Sequence, residues 1–129
     1  MTAKLIPADL ARAIAAEAAN HHGNPVREGR VYAVLVAAGY DAHEIAELAG
    51  SNWNRVDLRL ALLNLADNCR NALEQGLMPV GLAWYVARLS APNQQLMLNR
   101  WLRGDFKNSI EASRVAGGIL EDEQALVSL

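Results

Sequence analysis

Helix-stopping residues divide the chain into short segments, and this spacing limits the fold more than any other feature of the sequence. Pro7 can begin a helix that runs to about Asn20, and Pro25 can begin another that Gly39 ends. Later stops follow at Gly50, Gly76, Gly104 and Gly117-Gly118. Between the stops, apolar residues recur three or four positions apart, as one buried side of a helix requires. The pattern predicts an all-α fold, a compact multi-helix bundle of seven or eight helices of about 8 to 14 residues.

Length and charge narrow the class of protein. The 129 residues are enough for one core but few for two ordinary domains. No apolar run approaches the roughly 18 residues of a membrane span, and no signal-peptide pattern opens the chain, so we expect a cytoplasmic protein with no membrane partner. The net charge of −2 argues against a nonspecific DNA binder. The charge is uneven, however, because residues 50–114 carry eight basic and five acidic side chains.

Patterns that would indicate catalysis or metal binding are weak. Cys69 is the only cysteine and is expected in the core, and the histidines at 21, 22 and 43 do not have the spacing of a zinc site. Ser90, Ser109 and Ser113 have no nearby histidine that could activate them, and no glycine-rich phosphate loop precedes a helix. We therefore expect no enzyme activity, no metal and no cofactor.

Residues 41–65 have the spacing of a helix-turn-helix. The first ten residues form a short helical segment that Gly50 ends, and a second helix begins at Asn52. Ala46 is small enough to let the two helices approach closely, and Val56 is placed to fill the space between them. This spacing predicts a helix-turn-helix, although a helical hairpin of another kind can carry the same alanine and glycine.

The outer side of this second helix supplies most of the predicted DNA contacts. Asn54 can bind an adenine edge, Arg55 a phosphate or a guanine, and Leu58 a thymine methyl group. Asn52 can cap the helix, while Trp53 suits either the sugar-phosphate backbone or the core. Later cations could contact phosphates. The complete predicted set is Asn52, Trp53, Asn54, Arg55, Leu58, Arg59, Arg103 and Lys107. The alternative for the charged members is an ordinary solvated helix surface.

Five segments follow one another in an order that resembles a known domain. They are residues 24–32 with their Asn-Pro opening, the predicted helix-turn-helix, residues 58–65 with 71–77, residues 79–89, and the closing stretches 94–101 and 109–112. In this order they resemble the central DNA-binding domain of ParB-type partition proteins. The resemblance implies a DNA-binding domain at 24–116, with an N-terminal helical extension at 1–23 and a short acidic and apolar tail at 117–129. The implied function is sequence-specific binding of double-stranded DNA, as a transcriptional repressor or a partition or replicon-maintenance factor.

Departures from the family limit what the resemblance implies. Nothing in residues 1–23 resembles the family's nucleotide-binding domain with its Gly-Glu-Arg-Arg motif, so we expect no nucleotide partner. The family's C-terminal dimerisation domain has no counterpart either. We still predict a homodimer, built by the N-terminal helix or by residues 125–129, because one recognition helix reads only a few base pairs. Trp84 stands where a basic residue is common in the family.

A second hypothesis keeps the fold but changes the partner. The chain could be a protein-interaction module on a ParB-like bundle that no longer binds DNA, using Trp53, Leu58 and the acidic tail. The negative net charge and Trp84 favour this hypothesis. Arg55, Arg59 and the positive middle segment disfavour it.

Overall fold

The computed structural model of the chain describes residues 3–20 and 24–128, and all its regular structure is helical. The described residues form eight α-helices and no strand, which confirms the all-α prediction. The helices are α1 (Ala8–Asn20), α2 (Pro25–Ala37), α3 (Ala42–Ala49), α4 (Trp53–Ala61), α5 (Asp67–Glu74), α6 (Val80–Ala87), α7 (Ala91–Leu102) and α8 (Ser109–Val127). The helical segment predicted over residues 52–65 comprises α4 and a short 3-10 helix, Leu62–Asn64, that follows it. The interpretation of His21 and His22 as solvated loop residues lies outside the described residues.

Most of the predicted helix ends are confirmed, and one is wrong. Pro25 occupies the first turn of α2, where the Asn24 side chain accepts a hydrogen bond from the Arg27 amide at 3.0 Å. Glycines with positive φ follow α2, α3, α5 and α7, as the spacing predicts. Gly117 and Gly118 do not end a helix, because neither has a positive φ and α8 continues through both. Glycine weakens a helix interior without forbidding it.

The chain divides into two units, of which the first is Met1–Leu63. Within it, α1 packs on α2 and α3, and α4 packs on α2 and α3. Its core is built from small and large apolar residues on successive helical turns, namely Ala11, Ala15, Ala18, Tyr32, Leu35, Ala38, Tyr40, Ile45, Ala46 and Val56. Because the buried residues of α1 are alanines, this helix lies close to its neighbours and shares their core.

The second unit, Asn64–Leu129, contains α5 to α8. Here α6 packs on α8, and α7 contacts α5, α6 and α8. Gln94 is buried at its centre and is fully hydrogen-bonded: its Oε1 accepts from the Ala66 amide at 2.7 Å, and its Nε2 donates to the Asn64 and Leu89 carbonyls. Cys69 is buried, as the sequence predicts, and burial raises the pKa of its thiol. The thiol is therefore a core group and not a reactive one.

Candidate nucleic-acid interface

The segment that connects α3 to α4 is short and has defined caps. Asp41 begins α3 with a capping box, in which its Oδ1 accepts from the Glu44 amide at 2.8 Å and the Glu44 carboxylate accepts from the Asp41 amide at 3.1 Å. The Glu44 amide holds the pKa of the Asp41 carboxyl below its ordinary value. Gly50 ends α3 with a φ of +67°, and the Ser51 amide donates to the Ala46 carbonyl at 2.9 Å. Only three residues, 50 to 52, separate the two helices.

The inner side of this hairpin is formed by the residues that the spacing indicates. Val56 is completely buried, and Ala46 is buried beside Ile45 in the same core cluster. Leu60, one turn after Val56, is partly buried against the cluster. The predicted inward direction of Val56 and the small size required at Ala46 are both confirmed. Packing of α4 on α2 and α3 therefore fixes which side of α4 remains outside.

The outer side of α4 begins with three exposed residues. Asn52 is the N-cap, and its Oδ1 accepts from the Arg55 amide at 2.9 Å. Asn54 is exposed and its side chain has no hydrogen bond to any described residue, whereas Leu58 is only partly exposed. Trp53 keeps 43 % of its surface exposed. The exposure of Asn54 agrees with the sequence prediction, and Trp53, for which the sequence left both the core and the surface open, lies at the surface.

A stacked ring pair, which the sequence analysis does not anticipate, lies beside these residues. The indole of Trp53 stacks on the imidazole of His43 in α3, with ring centroids 5.7 Å apart and planes 16° apart. Both residues are exposed. The stack joins the first turn of α3 to the first turn of α4, so Trp53 lies at the surface against α3 and does not enter the core.

The two arginines of α4 are directed elsewhere than predicted. Arg55 donates from Nε to Glu28 Oε2 at 2.9 Å, and from Nη2 to Glu28 Oε1 at 3.0 Å and to the Ala19 carbonyl at 3.1 Å. Arg59 donates from Nε to Glu28 Oε1 at 3.4 Å. The prediction that Arg55 faces outward beside Asn54 is wrong. A buried carboxylate needs a countercharge, and Arg55 and Arg59 are the cations that one side of α4 brings to it.

Glu28 is the group that sequence reasoning missed. Its side chain is 1 % exposed, and it accepts hydrogen bonds from Arg55, Arg59 and the Tyr32 hydroxyl, the last at 2.5 Å. Burial alone would raise the pKa of its carboxyl, but the hydrogen bonds from Arg55 and Tyr32 and the charges of both arginines outweigh burial and lower the pKa. Burial and the neighbouring carboxylate raise the pKa of Tyr32. A signal was present, because Glu28 lies four residues before Tyr32 and seven before Leu35, on the apolar side of α2.

The last two predicted contacts belong to the second unit. Arg103 keeps 64 % of its side chain exposed and donates from Nη2 to Asp105 Oδ2 at 2.9 Å. Arg100 lies 3.6 Å from the same oxygen. Lys107 is exposed, directly after the buried Phe106. The structure therefore brings residues 52 to 59 together on one helix and places Arg103 and Lys107 around a separate turn.

Other kinds of site find no support among the described residues. No group of three or more histidine, cysteine, aspartate or glutamate side chains there could hold a metal ion. Within the same ranges, none of the helices combines the length and the apolar composition that crossing a bilayer would need. No protein-family model matches the chain, and no curated protein does.

Proposed function

We propose that this protein binds double-stranded DNA sequence-specifically, with α3 and α4 acting as a helix-turn-helix and α4 entering the major groove. One observation carries the proposal: α4 is packed along its inner side on α2 and α3 while its first residues, 52 to 54, stay exposed. A recognition helix contacts base edges with its N-terminal residues, so this is the end that must be accessible. The left-handed Gly50 and the three-residue turn fit the same arrangement.

Within this proposal, the α4 residues divide into two roles. Asn54 is the base-reading residue, because its exposed amide can donate to and accept from an adenine edge, and Leu58 offers apolar contact to a thymine methyl group. Trp53, stacked on His43, lies against the sugar-phosphate backbone. Arg55 and Arg59 hold α4 on α2 through Glu28 instead of contacting DNA.

The wider role follows the resemblance to ParB-type DNA-binding domains. Arg103 and Lys107 are exposed cations that suit phosphate contacts in the second unit. A single recognition helix reads only a few base pairs, so the proposed protein acts as a dimer on an inverted repeat. Transcriptional repression and partition or replicon maintenance are the two roles that such a binder serves.

The test is selection of bound duplexes from a random pool, followed by fluorescence-anisotropy titration of the selected site. We expect one sequence to be enriched, and Asn54→Ala to weaken its binding by about 1 to 3 kcal/mol while relaxing the preference at one position. Asn71→Ala is the matched control, because Asn71 is an exposed helical asparagine on α5 whose side chain has no hydrogen bond to a described residue. The control should bind the site as the unmodified protein does.

Two results would contradict the proposal. One is a selection in which no sequence is enriched at low salt. The other is an Asn54→Ala variant that binds the selected site with unchanged affinity and unchanged preference. Circular dichroism of both variants confirms that neither change has unfolded the chain.

A protein partner is the second candidate, and one observation favours it. The arginines of α4 are committed to Glu28, so the exposed start of this helix presents an aromatic stack and polar groups without a cation. Exposed tryptophan is typical of protein interfaces. Failure of the duplex selection, together with retained folding, would make this the better hypothesis.

A further inference from the structure

One row of residues along α8 is exposed from end to end. Ile110, Arg114, Gly118, Asp122 and Leu126 follow one another at intervals of four, and all five are exposed. Residues spaced by four form one of the ridges along which helices pack against each other. The row covers most of the 19 residues of α8.

Within the described part of the chain, the apolar ends of this row stay exposed and its charged side chains have no partner. Ile110 is 69 % exposed and Leu126 is 71 % exposed. The side chains of Arg114 and Asp122 make no hydrogen bond or ion pair with any described residue. A Cβ atom added to Gly118 would meet no atom within 4 Å, so packing within this part of the chain does not require a glycine there. Glycine in the middle of a helix is unfavourable, and an exposed glycine leaves room for the backbone of another helix to approach closely.

The row is complementary to itself when it is reversed. A two-fold axis at Gly118 places Ile110 opposite Leu126 of a second copy, and Arg114 opposite the second copy's Asp122. Apolar residues then meet apolar residues, opposite charges meet, and Gly118 meets Gly118 where the helices cross. An antiparallel pair crossing at about −50° brings two such rows into line, which is the commonest class of helix packing. The resulting interface is isologous, as in most homodimers.

We propose that the protein forms a homodimer through α8, with two antiparallel copies crossing at Gly118. A groove of about 540 Å³ adjoins this row, between α6 and α8, and Ile110 and Arg114 are among its lining residues. In the proposed dimer, Leu126 of the second copy arrives at the Ile110 end of the row, beside this groove. Charge complementarity of Arg114 with Asp122 selects a second copy over an unrelated partner. The observations behind this interface do not involve the proposed DNA-binding residues, so the interface can be tested without DNA.

Light scattering on the purified full chain, without DNA, tests the dimer at tens of micromolar. The expected mass is twice the 14.0 kDa of the chain. Gly118→Leu fills the crossing point and should give a monomer, while circular dichroism should show an unchanged helix content because the added Cβ meets open space in the described part of its own chain. Gln124→Leu, an exposed position of α8 outside the row, is the matched control and should remain dimeric. A monomeric full chain, or a Gly118→Leu variant that stays dimeric, overturns the proposal.

Charge reversal tests the orientation of the two helices. Arg114→Asp and Asp122→Arg should each raise the dimer dissociation constant more than about tenfold, because each places like charges opposite each other twice. An equal mixture of the two variants should form dimers again, since every charged pair is then opposite in sign. Failure of the mixture to associate, with both variants folded by circular dichroism, overturns the antiparallel arrangement.

Discussion

At the scale of single residues, the carboxylate of Glu28 determines the direction of two arginines. Its oxygens lie in the interior of the first unit and accept from both guanidinium groups and from Tyr32. A carboxylate in such a position costs too much free energy to remain charged without these partners. Arg55 also donates to the Ala19 carbonyl, so the cluster connects α1, α2 and α4. The contact of Arg55 with Glu28, which holds α4 on α2, takes the place of the DNA contact that the sequence predicted for this arginine.

The Glu28 cluster leads to a prediction about stability. Glu28→Gln keeps the shape of the side chain but leaves the partly buried Arg55 without a countercharge. We expect the free energy of unfolding to fall by about 3 kcal/mol, near the lower end for a broken buried pair, since Arg55 retains 26 % exposure. Urea unfolding measures the change. Glu47→Gln, the same substitution at an exposed position of α3, should change stability little.

The pH dependence of stability, measured for the unmodified protein and for Glu28→Gln, checks the same prediction. The pKa of Glu28 is lowered on folding, so its contribution is present above the pKa of the unfolded chain and is lost as the pH falls through the folded-state pKa. The stability difference between the unmodified protein and Glu28→Gln should therefore shrink in acid. A difference that is constant down to the acid transition would show that the charge of Glu28 is not the cause.

At the scale of helices, α2 and α4 approach so closely that one position requires glycine. A Cβ atom on Gly29 would lie 2.3 Å from the carbonyl oxygen of Arg59, which is backbone and cannot rotate away. The contact lies beside the Glu28 cluster, so the short distance between the helices also brings the arginines within reach of the carboxylate. Gly29 and the ion pairs of Glu28 therefore both belong to the place where α2 crosses α4.

The crossing can be tested with a single methyl group. Gly29→Ala should lower the free energy of unfolding by about 1 to 3 kcal/mol, because α2 and α4 must separate to accommodate the Cβ atom. Gly81→Ala is the matched control, since Gly81 lies within α6 with nothing within 4 Å of an added Cβ. The control should be stabilised by about 0.5 to 1 kcal/mol through helix propensity. Thermal or urea unfolding measures the stability of both variants. Equal changes in Gly29→Ala and Gly81→Ala would contradict the close contact of α2 with α4 at Gly29.

At the scale of the whole molecule, charge is divided evenly between the two units. Residues 1–63 and residues 64–129 each carry six basic and seven acidic side chains. In the first unit, Arg55 and Arg59 are paired with Glu28, which leaves fewer cations for phosphate. Electrostatic attraction to DNA is therefore weak overall, and the proposed binding depends on selected contacts more than on net charge.

The salt dependence of DNA binding measures the phosphate contacts directly. On the selected duplex, Lys107→Ala should reduce the slope of log affinity against log salt by about one unit, because one phosphate contact is lost. Arg103→Ala should reduce it by less, since Arg103 shares its charge with Asp105. Arg12→Ala removes an exposed cation of α1 and is the control that should leave the slope unchanged. A Lys107→Ala slope equal to that of the unmodified protein would contradict the assignment.

The sequence by itself determined the features that depend on neighbouring residues. Pro25 and Gly39 fixed the limits of α2, and Gly50 ended α3, because backbone preferences act within a few residues. Helical spacing likewise placed Val56 inside, and the all-α class followed from the same periodicity. The same spacing places Asn54 on the opposite, exposed side of α4. These parts of the candidate site needed no knowledge of distant segments.

Only the tertiary structure decided what depended on residues far apart in the chain. Arg55 turns inward because Glu28, 27 residues earlier, is buried beside it, and no local pattern around Arg55 contains that information. Trp53 stays outside because His43 of another helix supports it. Side-chain direction follows from the partner that packing brings near, and packing is a property of the folded chain.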